Sequence, residues 1–452
     1  MTGANTLSAV LQARDLVEEL ESAATARMAA DRVPGAQLGI AIGDDEEIRS
    51  LGTSDLRTNR PTDDDTLFRI ASITKVFTAA LLARLHRAGR VDLDVPVRHY
   101  VPEFDLADHE AARLVTTRHL LLHTGGFAVY QELVPNGPDA LSIGTRGQVH
   151  AQQIAPPGEL FDYNGIGYMV AGRVIEVVTG TSYEHAVRTA LLGPLGMSRT
   201  RFATEPDDNV AGDHTVREDA AAMMELGDYG GRWPLPSGGL LSTATDMLRF
   251  ARSQFAETSV FDAETLALMS LPEVDLPDPG QSKALAWFVR DVGGDRMLLH
   301  LGGAPSQQSL LAVIPARQMA VAVLTNSAVG AGVHAAVLAR VLERAVGVGE
   351  SSAPRTIELG SDALAEYEGR FDGIESDLVV IPSDGGLVLQ VENRGVYKGR
   401  PTPPPALVRF WRSDRAVGVG GWAKGQYGDF LRDREGRVKY FRWGGRVRRR
   451  AT

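Results

Sequence analysis

The chain has 452 residues, 44% of them hydrophobic and 23% charged, with a formal net charge of −10 and no cysteine. Its length favours two or three domains, and its composition is that of an ordinary globular protein rather than a disordered or fibrous one. The missing cysteines exclude thiol nucleophiles, thiolate metal sites and disulfide frameworks, and a negative charge without a basic stripe argues against a nucleic-acid partner.

From the N-terminus through Arg32, charged and apolar residues alternate at helical spacing. This stretch lacks the apolar core of roughly 7 to 15 residues that marks a signal peptide, so a cytoplasmic location is the default expectation. No apolar run approaches the roughly 20 residues of a membrane span. "GAQLGIAIGD" and "EIRSLGTSD" then predict a β-hairpin. A long helix is expected to begin at Ser72, because apolar residues recur at three- and four-residue intervals through "VFTAALLARLHRAGR", and Gly89 marks its end.

Residues 93–240 carry helical patterns separated by Pro and Gly turns and predict a mainly helical subdomain. Between 284 and 326, "ALAWFVRD", "RMLLHLGG", "QSLLAVIP" and "MAVAVLTN" predict consecutive antiparallel strands that join the N-terminal hairpin in one sheet. A helix, "VHAAVLARVLERAVG", precedes the small and polar "VGESSAPRT", the best linker in the chain. From Glu358 onward, alternating strands with "DGG" and "REGR" turns predict a small all-β barrel or sandwich. In this β-rich part "GVGGWA" has no helix after it and reads as a turn, and "RWGGRVRRRAT" reads as an arginine-rich last strand. The expected division is 1–347, a linker at 348–356, and 357–452.

Lysine usage draws attention to one position. Of 47 basic residues only five are Lys, at 75, 283, 398, 424 and 439, and Lys75 sits inside an apolar helical pattern. A guanidinium is never deprotonated in a protein, whereas an ammonium is readily shifted toward the amine by burial, so a lysine in that setting suggests a base. Ser72 lies three residues earlier, hence on the same helix face and one turn away. A serine hydroxyl needs such a neighbour to take its proton. The same short pattern also fits a capping serine with a surface lysine. Tyr163, in a Gly-rich loop before a helix, offers a phenol able to relay protons, or a packed core tyrosine. His300 ends a strand followed by glycines whose N–H groups are able to face a reacting carbonyl. His119 and His123 are four apart, as metal ligands on a helix are, but the glutamate of H-E-x-x-H is missing, and no metal is expected.

Taken with "LDVPVRHYVPEF", "TTRHLLLHTGGF", "PPGELFDYNGIGY", "GPLGM", "PSGGLLSTATDMLRFA" and "HLGGAPSQQSLLAVIP", the Ser-x-x-Lys pattern resembles the serine beta-lactamase and penicillin-binding-protein superfamily. The branch is that of class C enzymes, D-aminopeptidases and related esterases, and the resemblance covers roughly residues 25 to 345. It implies an α/β (α+β) fold, an antiparallel sheet flanked by helices plus a helical subdomain. The C-terminal unit resembles the lipocalin-like barrel appended to some of these hydrolases, penicillin-binding-protein-type thioesterases among them.

Carried onto this chain, the resemblance makes Ser72 the acylated nucleophile, Lys75 its proton acceptor, Tyr163 the third member of the proton network and His300 the opening of the third motif. The backbone amides of Ser72 and Gly303 resemble the oxyanion hole, and Gly302 lies on the substrate side. The family's Tyr-x-Asn is here "YNG", so Gly165 stands where an amide side chain normally holds substrate, with Asn164 as its substitute. His300 in place of the usual lysine removes a charge that would bind a penicillin carboxylate, which demotes antibiotic hydrolysis. Arg446, in "GGRVRRR", matches an arginine thought to meet a peptide's terminal carboxylate in the cyclases. The expected substrate is a small-molecule or peptide acyl donor, a carrier-bound or thioester-linked peptide included, and no cofactor is expected. A peptide-cyclising thioesterase is the first expectation. A D-residue peptidase, an amidase, a carboxylesterase and a catalytically silent binding protein on the same scaffold are the alternatives.

Overall fold

The structure is a computed structural model that describes residues 12–130, 134–224, 231–349, 354–374, 376–394, 398–399 and 401–451. Residues 350–353 at the centre of the expected linker, and the first eleven residues of the N-terminal stretch, lie outside the described residues.

A nine-stranded antiparallel sheet forms the body. Its strands are β1 (Gly35–Ile42), β2 (Asp45–Asp55), β3 (Arg60–Pro61), β4 (Val274–Asp275), β5 (Gln281–Lys283), β6 (Phe288–Val292), β7 (Asp295–Gly303), β8 (Gln308–Ile314) and β9 (Met319–Thr325), in the spatial order β3-β2-β1-β9-β8-β7-β6-β5-β4. The expected hairpin therefore pairs with the last strand, Leu38 opposite Val323. The two-residue β3 and β4 and the three-residue β5 extend the edges beyond the expected set, being too short to show a period in the sequence.

Both faces of the sheet are covered, which explains why its central strands read as continuous apolar runs. Along β8, Leu310, Ala312 and Ile314 join one core while Leu311 and Val313 join the other, as the two-residue period requires. Helices α1 (Ala13–Asp31) and α5 (Ala331–Val341) close the first face. On the second face lies α2 (Thr74–Arg87), buried almost all round, with α3 (Gly165–Thr179) and the short α4 (Leu235–Gly238) around it. A helix apolar on every side belongs at the centre of a core. It starts at Thr74 rather than Ser72, since Ala71–Ile73 form a separate 3-10 turn.

The C-terminal region is a closed eight-stranded barrel. It runs through β10 (Gly369–Asp372), β11 (Ser376–Ser383), β12 (Gly386–Asn393), β13 (Ala406–Arg412), β14 (Arg415–Gly418), β15 (Tyr427–Arg432), β16 (Val438–Trp443) and β17 (Arg446–Arg450). Each strand pairs antiparallel with the next, and Phe371 opposite Arg450 closes the ring, which suits a lipocalin-like domain. Its interior is aromatic, with the Phe430 and Phe441 rings stacked 4.2 Å apart. Tyr440 and Val447 pack on Ala155, Ile154 and Leu160 of the body.

Candidate active site

Ser72 occupies the 3-10 turn that feeds α2, one residue after Ala71, whose φ of 44° lies in the left-handed region that non-glycine residues rarely adopt. The surroundings hold this turn from two sides. Ser309 Oγ donates to the Ile70 carbonyl at 2.9 Å, and the end of β7 presses against the same peptide. A Cβ at Gly302 would come 2.1 Å from the Ile70 oxygen and 2.0 Å from Ser309 Oγ, so this close approach needs glycine. Gly302 thereby serves contact between the strand and the turn that carries Ser72. From the other side the Leu240 N–H donates to Thr74 Oγ1 at 3.1 Å.

Lys75 is buried, only 2% exposed, and its Nζ lies 3.0 Å from Ser72 Oγ. Its second polar contact is a donation to the Ser237 carbonyl at 2.8 Å, from the end of α4. One N–H is thus fixed on a carbonyl, and the head group is aimed at the serine. The two residues open into a cleft of about 440 Å³ whose lining includes Arg69, Asn136, Ser237 and Gly303. A cleft with a few convergent polar groups is the usual form of a small-molecule site.

Tyr163 and His300 are not among the residues lining that cleft. They stand in an aromatic wall behind Lys75. The Tyr163 ring centroid is 5.1 Å from Lys75 Nζ, its ring stacks on Phe288 at 6.4 Å, and His123 packs on it at 4.3 Å. His300 meets Phe288 edge-on at 5.4 Å, and its Nδ1–H donates to the Leu301 carbonyl at 2.8 Å. Burial, reinforced by the positive charges of Lys283 and Lys75, pushes His300 down to about 3. The third motif therefore opens with a neutral imidazole.

Asn164 and Gly165 act differently from the expectation that they touch substrate. Asn164 caps α3: its Oδ1 accepts the Ile166 N–H at 2.9 Å and its Nδ2 donates to the Phe127 carbonyl at 2.9 Å, so both ends of the amide hold the loop. A Cβ at Gly165 would meet Ser237 Oγ at 3.0 Å. The Ser237 residue thus fills the space beside Gly165 while its carbonyl holds Lys75. Arg446 leans from the barrel over the Tyr163 ring, 5.8 Å from its centroid, and donates to the Tyr163 carbonyl. His119 and His123 do not share a helix face: His119 Nδ1 accepts the Thr116 N–H in a capping box, whereas His123 ends that helix at a φ of 61° and turns toward Tyr163.

The beta-lactamase family model matches residues 20–345, nearly the whole of the body and more than half of the chain. The chain belongs to the beta-lactamase family. Penicillin-binding protein 4 of Amycolatopsis lactamdurans is 31% identical over 343 residues, which are 70% of this chain and 87% of that protein. Esterase EstB of Burkholderia gladioli is 33% identical over 207 residues, 42% of this chain and 51% of the esterase. Among solved structures, SurE superposes with a TM-score of 0.79 at 24% identity over 97% of this chain and 99% of its own, barrel included. The octameric penicillin-binding protein homologue from Pyrococcus abyssi gives 0.66 at 25% identity, over 92% of this chain and 96% of its own.

In this beta-lactamase-family chain several neighbours of the site have no motif to announce them. Lys283, at the end of β5, is fully buried; its Nζ donates to the Ala284 and Leu285 carbonyls at 2.6 and 3.2 Å and lies 5.5 Å from the Phe288 ring. Burial lowers it to about 7 against the pull of Glu273, with Lys75 adding repulsion. The lysine census contained this signal, but a lysine in a strand edge does not advertise burial. Tyr168, with its ring 5.7 Å from Lys75 Nζ and its hydroxyl on the Leu121 carbonyl at 2.8 Å, is raised well above the usual phenol range by burial. Among the described residues no helix is long and apolar enough to cross a membrane.

Proposed function

We propose that the protein is an acyl-enzyme-forming serine hydrolase or transacylase acting on peptide acyl donors. The observation that carries this reading is the buried Lys75 Nζ at 3.0 Å from Ser72 Oγ with its second contact on a backbone carbonyl. In its amine form Lys75 takes the hydroxyl proton as Ser72 Oγ attacks the acyl carbon. The oxyanion forms against the backbone N–H groups of Ser72 and Gly303, each such donor lowering the barrier by roughly 3 to 4 kcal/mol. Proton return to the leaving group runs through Lys75 and Tyr163, and water or an amine then resolves the ester at Ser72.

For the acyl donor, the reading is a peptide thioester whose reacting residue is D-configured, closed into a ring by its own amine. Support comes from the neutral His300, which leaves the third motif without a cation for a penicillin-type carboxylate, and from the barrel beside the site. It also comes from SurE, which matches this chain through the barrel and has a structure with D-Leu, at a TM-score of 0.78. Hydrolysis of D-residue peptides or of esters is the second reading, favoured by the identity to EstB.

Two measurements test it. A fluorophosphonate should label Ser72 in the wild-type protein and fail to do so in Lys75→Arg; unlabelled wild type would mean a silent binding scaffold. A linear peptide thioester ending in a D-residue should accumulate as ring. Free acid alone would assign the hydrolase instead.

A further inference from the structure

Tyr163 is held by the barrel as well as by the body that carries Ser72 and Lys75, where His123 packs on its ring at 4.3 Å and accepts the following Asn164 N–H at 3.0 Å. Its backbone N–H donates to the Gly445 carbonyl at 2.8 Å, and its carbonyl accepts from the Arg446 guanidinium. The preceding residue extends the same contact: the Val447 N–H donates to Asp162 Oδ1 at 3.0 Å, and the Phe161 carbonyl accepts from Arg442 at 3.4 Å. Both peptide groups flanking the Tyr163 Cα thus bond to a single hairpin tip, the first through its N–H and the second through its carbonyl.

The tip is built for that approach. Gly444 and Gly445 have φ of 60° and 75°, the backbone of a tight hairpin turn joining Trp443 to Arg446, which favours glycine. A Cβ at Gly445 would sit 3.6 Å from the Tyr163 Cβ and 3.9 Å from the Phe161 ring, which measures how closely the turn abuts the loop. Asp162 is the body's side of the joint. It is buried with three arginines around it, Arg442, Arg446 and Arg448, yet burial outweighs them and pushes its carboxyl up to about 6. A carboxyl kept under that burden is explained by the Val447 N–H that it satisfies.

We propose that Asp162 and the Gly445–Arg446–Val447 tip are positioning residues for the Tyr163 phenol, and that Arg446 acts on the reaction through Tyr163 whether or not the substrate carries a carboxylate. The proposal rests on the acyl-enzyme reading above. Proton transfer demands a phenol held to within about 0.5 Å, and a displacement of about 1 Å costs on the order of 10²-fold in rate. An exposed arginine that serves only to bind a substrate carboxylate would have no need of the tyrosine's own carbonyl.

The test uses the full chain, p-nitrophenyl acetate as a neutral ester, and a peptide ester bearing a free carboxylate. Asp162→Leu is expected to lower kcat on the neutral ester by about 10-fold or more while KM moves less than about 2-fold, the pattern of lost transition-state geometry. Asp162→Asn, which keeps the acceptor for Val447, should recover most of that loss. Arg446→Gln changes an exposed side chain, and it should lower kcat on both esters alike. An Asp162→Leu protein with wild-type kcat, or an Arg446→Gln protein impaired only on the carboxylate-bearing ester, overturns the proposal. If Asp162→Leu does not fold, the Arg446→Gln comparison decides alone. Fluorophosphonate labelling of the wild type separates the two levels: its absence sinks the acyl-enzyme reading, whereas labelling with unaffected variants sinks only the positioning role.

Discussion

The body and the barrel treat buried positive charge in opposite ways. In the barrel, Arg442 is 5% exposed and meets Asp429 bidentately, Nε to Oδ1 at 2.8 Å and Nη2 to Oδ2 at 2.6 Å. In the body, Lys75 and Lys283 are as deeply buried, but their contacts are a hydroxyl and backbone carbonyls. A guanidinium locked on a carboxylate by two charge-assisted hydrogen bonds is a structural fixture. Neutral acceptors leave the burial of an ammonium uncompensated, and burial lowers Lys283 to about 7. The barrel bonds its buried cation to a carboxylate, and the body bonds its two buried lysines to neutral oxygens.

That contrast is open to attack from both sides. Lys75→Arg keeps the charge but not the capacity to deprotonate, and should cut acyl-enzyme formation by about 10⁴-fold, read as the burst of released p-nitrophenol. A surviving burst would end the claim that the body's lysine is a base. Asp429→Ala strands Arg442 in the barrel and should destabilise it by about 3 to 5 kcal/mol in a denaturant melt, as unpaired buried charges do. Little change there would mean that the pair is not structural.

Gly302→Ala drives a methyl into the Ile70 carbonyl and should cost about 1 to 3 kcal/mol. Ser72 labelling should slow at the same time, because the displaced peptide carries the nucleophile turn. The smallest effect concerns Lys283. Its pKa in the fold, about 7, lies below the ordinary 10.5, so between those values the unfolded chain binds the extra proton and stability rises with pH. Lys283→Met should flatten that rise, by about 1.4 kcal/mol at most, in melts recorded from pH 7 to 8.

Much of this was legible in the sequence because it rests on side-chain identity. Lysine among arginines marked position 75, period-two alternation marked the barrel, and continuous apolar runs marked the doubly covered strands. What escaped rests on backbone groups, which every residue carries alike. Nothing in "PSGG" says that the Ser237 carbonyl will hold Lys75, and nothing in "YNG" says that Asn164 will cap α3 rather than face the cleft. Arg446 stood out by its place in the last hairpin, but its partner is a peptide carbonyl 283 positions away. Asp162, one residue from Tyr163, drew no notice because its partner is a single backbone N–H of the barrel.

The pairing of β1 with β9 sets a condition on how the chain is made. The Gly35 N–H waits for the Asn326 side chain, 291 positions later, and Leu38 waits for Val323. Contacts of such long range close slowly, because the intervening loop must first be ordered. A nascent polypeptide emerging from the ribosome would carry this hairpin with one backbone edge unpaired until nearly three hundred further residues have been synthesised. That interval is when chaperones have the most to shield.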